Sequence, residues 1–563
     1  MRYSRAMGQL AVMKRTSTVL LILGPATTLA ISPSSSFDPI SLIKMVFVAS
    51  CAFGLLLLLI SGVRDHLGRL PLGVRVAALT FISWMSLVMF MSGAPMNQQF
   101  WGVFGRNNGY LSYLCLVVIL LATAIVQERT FYRKLVDVLV LTAVPTTAYA
   151  LFQVAGRDPI SWSVMAPFAT LGNVNFSSAF FGLASISATV LALAPNQKLY
   201  VRISLLVMVV IDLFIILETG SIQGFMIYLA GMGLVGFFLI RAYKPLRILQ
   251  MPYLLLGLTG FALTALALNN IGPLARFVFG ETILFRFDYW YAGWVMTLRN
   301  PVFGVGLDSY GDWYREVRGE IATLRTTPDR ITNTAHNIYL DISASGGFPL
   351  IIAYLVLLGY ALRAAWRLTR RDYSFNPYFV ALFSTWMAYL IQAAISINQI
   401  GVGIWGWLFT GALIGYEITT RTDATIRPER KMKTDSPQLP ASVALLGIVG
   451  AGIGFLLAFL PFNADAKFKD ALQRGNPGDQ FTSATALGAT AFHMELALDA
   501  ALKANDEVLA GEIVEELLSR YPRDFMGWQV RQVLASTRPE DRERAYERLK
   551  EMDPFNPNIQ RVG

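Results

Sequence analysis

Long apolar runs, separated by short polar or charged segments, dominate the pattern along the chain. Each run is about 20 residues long, which is enough for an α-helix to cross ~30 Å of hydrocarbon. Glycine and proline inside the runs do not argue against this, because neighbouring helices satisfy the backbone groups that they free. The pattern predicts an all-α polytopic membrane protein with about 12–13 transmembrane helices. The predicted spans are 17–33, 40–62, 74–93, 109–127, 135–154, 174–195, 202–218, 221–240, 250–269, 337–362, 377–398, 400–418 and 441–462.

The composition excludes several other classes of protein. Hydrophobic residues make up 54% of the chain, charged residues 15%, and the mean hydropathy is +0.49. A soluble domain would be about 25% charged, so a soluble enzyme, a disordered chain and a disulfide scaffold are all excluded. Cys51 and Cys115 both lie in predicted spans and carry no information about the redox compartment.

Basic residues are concentrated in alternate loops, beginning with Arg2 before the first span and ending with Lys433 after the twelfth. The short loops on the other side carry only Arg106 and Arg157. Because cytoplasmic loops are enriched in Lys and Arg, we expect a cytoplasmic N-terminus and an extracytoplasmic C-terminal segment in the cytoplasmic (inner) membrane. The net charge of +10 does not form one soluble basic surface, so no nucleic-acid partner is predicted.

The first span could also be a signal peptide, since it follows a basic start. The stretch Ala26–Ala30 is a poor match to a cleavage site. We therefore expect this span to be retained.

Two segments are predicted to lie outside the membrane, on the outer face. The first is a large loop over about 270–335, within a transmembrane domain of residues 1–462. The second is a charged, helix-forming tail over 463–563, where Arg520-Tyr521-Pro522 recurs 32 residues later as Met552-Asp553-Pro554. This spacing predicts a small tetratricopeptide-like domain, and an irregular helical cap is the alternative.

Only three histidines are available for acid–base chemistry. His66 and His493 are interpreted as surface or packing residues. His336 closes the large loop at the start of the tenth span, where an imidazole could act as a general base on a lipid-borne substrate. A capping or interfacial role is the alternative for His336.

The motifs for metal and nucleotide sites are absent from the sequence. There is no CxxC pair, no HExxH and no G-x-x-x-x-G-K-[ST] loop, so neither a metal nor another cofactor is predicted. The outer loop instead places Arg286 among aromatic residues. A guanidinium pairs with phosphate through two hydrogen bonds, so this stretch predicts an anionic head-group site, although aromatic residues are also common at membrane interfaces.

Six short motifs together resemble the O-antigen ligase/polymerase superfamily, which are membrane glycosyltransferases of the GT-C type. The resemblance extends over about residues 40–420. Each motif is weak alone, but the order R-x-x-x-W, N-P-x-F-G-x-G and A-H-N-x-Y-L within one loop is fairly specific. The motifs are Phe104–Gly109, Leu171–Phe176, Arg286–Trp290, Asn300–Leu307, Ala335–Leu340 and Ser345–Phe348.

The resemblance implies a catalytic cavity on the outer face and a glycan donor linked to polyprenyl diphosphate, transferred without a metal. It implies that His336 activates the acceptor hydroxyl and that Arg286 holds the diphosphate. The family has a further arginine after the seventh span, where this chain has Gln223 and no arginine. Arg106 or Arg330 is expected to replace it. The supporting residues implied by the motifs are Asn175, Asn337, Gln223, Trp290 and Tyr339.

The physical chemistry of inverting glycosyl transfer agrees with these roles. A base on one side of the sugar makes the acceptor oxygen nucleophilic, and fixed positive groups on the other side stabilise the departing diphosphate. The sequence favours a ligase that moves a finished glycan to a glycan, lipid or protein acceptor. A polymerase of repeat units is the alternative, but no Arg-x10-Gly arrangement of the polymerase kind is found in the outer loop.

Two non-catalytic alternatives remain. A transporter of a lipid-linked sugar should carry paired ionisable residues within its spans and an internal repeat. Asp137 and Asp212 lie in spans without obvious partners, and no repeat is evident. The other alternative is a scaffold whose helical tail recruits a second envelope protein.

Overall fold

The structure is a computed structural model that describes residues 2–61, 66–162, 166–422 and 440–561. Arg64 and the basic stretch 427–433, which belong to the alternating basic loops between Arg2 and Lys433, lie outside the described residues. Within the described ranges the regular elements are helices, which confirms the all-α class. The helices before the large loop are α1 Arg2–Leu29, α2 Ser41–Ile60, α3 Leu72–Met91, α4 Met96–Trp101, α5 Tyr110–Val126, α6 Arg129–Val154, α7 Val174–Ala192, α8 Leu199–Glu218, α9 Gln223–Ala242 and, after a 3₁₀ segment Lys244–Leu249, α10 Gln250–Leu268.

The predicted outer loop is itself helical and leads into the last membrane helices and the tail. The loop helices are α11 Ala275–Val278, α12 Glu281–Arg299, α13 Tyr310–Val317 and α14 Glu320–Thr326. The remaining helices are α15 Ile338–Arg371, α16 Pro377–Ala393, α17 Ile400–Thr422, α18 Ala441–Arg474, α19 Pro477–Ala484, α20 Ala491–Lys503, α21 Glu507–Arg520, α22 Phe525–Val533 and α23 Pro539–Met552.

Nine helices in the described part of the chain are long and apolar enough to cross a membrane. They are α2, α3, α6, α7, α8, α9, α10 with its preceding 3₁₀ segment, α15 and α18. The other four predicted spans also lie on helices, namely α1, α5, α16 and α17. Two of these four, α5 and α16, have 17 residues each, which is short for a membrane span. The chain is therefore a polytopic helical membrane protein.

Burial separates the central helices from those that face lipid. In α7, 83% of the apolar window is buried against other helices, whereas in the segment ending with α10 the value is 6%. An apolar helix with so little buried surface suits contact with hydrocarbon on most sides. The core of the bundle lies around α7, α5 and α17.

The helix α18 packs closely along α2 through glycines. A Cβ atom built on Gly450 would lie 2.4 Å from the carbonyl oxygen of Phe53, and one on Gly454 would lie 2.2 Å from that of Ala49. Small residues allow such close approach of helices in membranes. The helix continues unbroken to Arg474, so the predicted domain boundary at 462 falls inside it.

The tail has its own apolar core, built around residues such as Phe468, Leu498 and Leu517. His493 is a packing residue: it is buried, and its Nε2 lies 3.0 Å from Oδ1 of Asp465. The other carboxylate oxygen of Asp465 accepts the backbone N–H groups of Phe37 and Asp38, at 2.5 and 2.9 Å. The tail is thus bonded to the loop that joins α1 and α2, and its tetratricopeptide-like character stays a prediction.

Candidate functional site

The motif Asn300–Gly306 packs against a break in α15. Gly347 has a φ of 70°, outside the helical region, and interrupts the helix. The backbone N–H of Phe348 donates to the carbonyl oxygen of Pro301, and that of Val305 to Ala344, each at 2.8 Å. These bonds satisfy backbone groups that the break leaves free, and they fix the first turns of α15, which follow His336.

We expect Gly347→Ala to destabilise the protein by at least about 2 kcal/mol. Its Cβ would lie 2.4 Å from the carbonyl oxygen of Val302, and the residue has a positive φ. Thermal unfolding in detergent measures the loss. Gly359→Ala in the same helix is the matched control, since nothing lies within 4 Å of its Cβ. Equal stability of the two variants would contradict the role of the break.

A buried carboxylate holds the loop that carries Arg106. Asp308 Oδ2 accepts the backbone N–H groups of Val103 and Asn108, at 2.8 and 3.2 Å. The Nε of Arg106 in turn donates to Oδ1 of Asn333 at 3.1 Å. The sequence motif around Arg106 is therefore brought beside the residues that precede His336.

His336 lies in a constrained turn. It has a φ of 50°, and its backbone N–H donates to Oγ1 of Thr334 at 3.2 Å. The preceding N–H, of Ala335, donates to Oδ1 of Asp341 at 2.6 Å. The imidazole stacks on the ring of Tyr289 with centroids 5.4 Å apart. In the described part of the chain neither ring nitrogen has a hydrogen-bond partner, so both can face a substrate.

The surroundings keep this imidazole neutral. Burial, followed by the positive charges of Arg286 and Arg106, lowers the pKa of His336 to about 4. A histidine with such a pKa is unprotonated at pH 7 and can accept a proton, although it is a weaker base than an unperturbed imidazole. Since both arginines act on one ring, the structure brings together three residues that the sequence predicts for the site.

Two cations of the outer loop, Arg286 and Arg330, have no carboxylate partner among the described residues. The Nη1 of Arg286 donates to the carbonyl oxygen of Ile395, just after α16. The guanidinium of Arg330 lies 4.8 Å from the ring centroid of Phe285. Neither forms an ion pair with a described residue. The positive charge of Arg106, in contrast, is favoured by the negative charges of Asp308 and Asp341. Uncompensated guanidinium groups are suited to an anionic ligand.

Three of the predicted supporting residues lie around this group. Asn337 caps α15, since its Oδ1 accepts the backbone N–H groups of Tyr339 and Leu340 at 3.0 and 3.2 Å. The hydroxyl of Tyr339 donates to the carbonyl oxygen of Leu390 at 3.0 Å. The Nε1 of Trp290 is buried and has no partner in the described part of the chain. Asn337 and Tyr339 therefore position the backbone that carries His336.

Asn175 and Gln223 form a second group. Asn175 Oδ1 accepts a hydrogen bond from the hydroxyl of Ser221 at 2.7 Å. Both amide atoms of Gln223 are buried without a partner among the described residues. Among the described residues no hydrogen bond, ion pair or ring contact joins these two side chains to His336, Arg106 or Arg286.

Sequence reasoning missed Asp308, Asn333 and Asp341. The sequence was read for residues that could touch a substrate, namely cations and a base. The three missed residues act differently: they hold the loops that carry the cations and the base. A weak signal was present, because Asp308 directly follows the motif Asn300–Leu307 and Asn333 precedes the motif Ala335–Leu340.

Part of the site, including the His336 turn and Arg286, lies in a stretch of sequence that matches a known family. Residues 206–355 match the family model for the O-antigen ligase. The match includes Arg286, Arg330 and His336 and confirms the resemblance to the O-antigen ligase superfamily. Among curated proteins no sequence matches the chain.

Proposed function

We propose that the protein transfers a glycan from a polyprenyl-diphosphate donor to an acceptor hydroxyl at the outer face of the cytoplasmic membrane. One arrangement carries the proposal. His336 stacks on Tyr289, which follows Arg286 by three positions in α12. On the other side, Arg106 donates a hydrogen bond to Asn333, three positions before His336. These residues lie where a broken membrane helix meets the outer loop. The base and the cations are the two groups that such a transfer needs.

In the proposed reaction the acceptor oxygen attacks the anomeric carbon of the donor sugar. His336 takes the hydroxyl proton as the new C–O bond forms. The bond from the anomeric carbon to the diphosphate oxygen breaks, and the electron pair leaves with polyprenyl diphosphate. Arg286 and Arg330 neutralise the charge that develops there. Attack opposite the leaving group inverts the anomeric centre, and no metal takes part.

The reaction is tested with the purified full chain, a polyprenyl-diphosphate glycan and candidate acceptors. We expect release of polyprenyl diphosphate that depends on acceptor. A single added glycan per acceptor supports a ligase, and a ladder of products supports a polymerase. No release of polyprenyl diphosphate from any donor would contradict the proposal.

The transporter alternative rests on one buried group. Asp212, for which the sequence offers no partner, accepts hydrogen bonds from the hydroxyls of Thr147 and Ser185 at 2.6 and 3.3 Å. Its described partners are neutral, whereas coupling ions or protons are usually moved by paired ionisable groups. Movement of labelled donor across vesicles without cleavage would favour this alternative.

We further propose that the N-terminus is cytoplasmic and that the tail lies outside. The alternation of basic loops in the sequence supports this orientation. An alkaline phosphatase fused to the C-terminus should then be active, and a cytoplasmic reporter at the same point should be silent. The reverse pattern would place His336 on the wrong side for an exported donor.

A further inference from the structure

A cavity of about 520 Å³ lies between the outer loop and the tail. One wall is formed by α13 and the segment 92–104, and the other by α20, α22 and the turn before α22. This volume is within the range of about 300–1,000 Å³ that is typical of small-molecule sites. The cavity is formed where the tail packs against the outer loop, and both contribute to its lining.

The cavity adjoins the site around His336. Asn333 lines it, and Oδ1 of the same residue accepts the hydrogen bond from Arg106. Asn333 lies three positions before His336. A molecule in the cavity is therefore close to the loop that carries the proposed base.

The cations of the cavity are already neutralised. Arg523 pairs with Glu316 at 2.5 Å, and its guanidinium lies 3.7 Å from the ring centroid of Trp313. Arg315 pairs with Asp553 at 3.0 Å. The lining therefore differs from the surroundings of His336, where uncompensated arginines suit a diphosphate.

The remaining lining is aromatic and polar. The rings of Phe104 and Phe492 stack with centroids 4.5 Å apart. Asp312, Glu495 and Asp524 supply carboxyl groups. Burial raises the pKa of Asp312 to about 7, and burial together with Glu495 raises the pKa of Asp524. The raised pKa values of Asp312 and Asp524 reduce the negative charge of these two groups, which favours an uncharged, hydrogen-bonding ligand over a cation.

We propose that this cavity binds the saccharide part of the acceptor, resting on the glycan transfer proposed above. Aromatic rings contact the C–H faces of a sugar, and carboxyl and amide groups bind its hydroxyls. Binding there would bring an acceptor glycan beside Asn333, with its free hydroxyl directed toward His336. The tail would then select the acceptor, whereas the membrane helices hold the donor.

The test is binding of the purified full chain in detergent to an array of defined bacterial envelope oligosaccharides. Gln529 and Ala491 line the cavity from two tail helices, so Gln529→Trp and Ala491→Trp would fill it. We expect each to reduce glycan binding at least tenfold. Val508→Trp is the matched control, because Val508 is 76% exposed on the tail and lies outside the lining.

Binding that survives both filling variants, or a wild-type chain that binds no glycan, would overturn this inference. Gel filtration ensures that the variants are folded, and Gln529, which is exposed, tolerates the larger side chain best. The array does not require turnover. Failure of transfer with retained glycan binding would therefore reject the proposed function alone, and loss of the cavity site with normal transfer would reject this inference alone.

Discussion

His336→Ala should reduce the turnover of glycan transfer by ~10²–10⁴-fold, the usual contribution of a positioned general base. The variant should still bind the donor, because Arg286 and Arg330 remain. Turnover is measured as released polyprenyl diphosphate, and donor binding is measured separately with labelled lipid. His336→Gln should be equally impaired, since an amide can accept a hydrogen bond but does not take up a proton.

Folding must be followed beside activity, because the ring of His336 also stacks on Tyr289. A monodisperse peak in gel filtration and an unchanged unfolding temperature distinguish loss of the base from loss of structure. Arg286→Lys provides the comparison for the donor side. This variant keeps the positive charge but loses the paired hydrogen bonds that a guanidinium makes to a phosphate, so the KM for the donor should rise. A well-folded His336→Ala protein with wild-type transfer would exclude the general-base role.

The acid limb of the pH profile follows from the same imidazole. Its pKa of about 4 lies below the ordinary value of 6.5, so kcat/KM should stay level from pH 7 to about 5 and fall only near pH 4. Between these two pKa values the unfolded chain binds more protons at this residue than the folded chain. The contribution of His336 to stability therefore rises with pH across that window.

Asp553→Ala should reduce the stability of the packing between the tail and the outer loop by about 3–5 kcal/mol. This is the usual cost of leaving a buried charge without its partner. Asp553 forms ion pairs with Arg318 at 2.7 Å and Arg315 at 3.0 Å, and the side chains of Asp553 and Arg318 are both 0% exposed. Of its hydrogen bonds to described residues, Arg318 would keep those to the carbonyl oxygens of Pro328 and Arg330. Thermal unfolding followed by tryptophan fluorescence measures the effect.

Asp499→Ala is the control for this substitution. It removes a tail carboxylate that pairs with Lys503 across an exposed helix surface, where ion pairs contribute little. We expect its unfolding temperature to stay near that of the wild type. If Asp553→Ala were equally harmless, the ion pairs of Asp553 would not be what holds the tail in place.

The sequence was sufficient to predict the membrane helices, whereas the central chemistry stays a proposal. Apolar runs identify helices because a span must satisfy its own backbone within the bilayer. His336 and Arg286 were singled out because their residue types suit a base and a phosphate-binding cation. Arg106 was predicted as a substitute for a missing family arginine, and the structure does place it near His336.

What the sequence could not reveal are the contacts between distant segments. Asp308 fixes a loop some two hundred positions earlier, and Asp553 reaches across from the last helix to Arg318. No local pattern marks such carboxylates, because their roles arise only when the chain has folded. The same limit applies to Gln223. Its position in the sequence suggested a place in the site, but among the described residues its amide atoms have no hydrogen-bond partner.

Helix α18 links the tail directly to the membrane helices, because the same helix belongs to both. Its N-terminal half packs closely against α2 through glycine contacts, and its C-terminal half carries Asp465 and Phe468 into the tail. At the N-terminal end of α2, the hydroxyl of Ser41 donates to the carbonyl oxygen of Gly105, the neighbour of Arg106. A displacement of the tail would therefore act on the arginine loop through α18 and α2, and Pro461 within α18 is the point where that helix can bend.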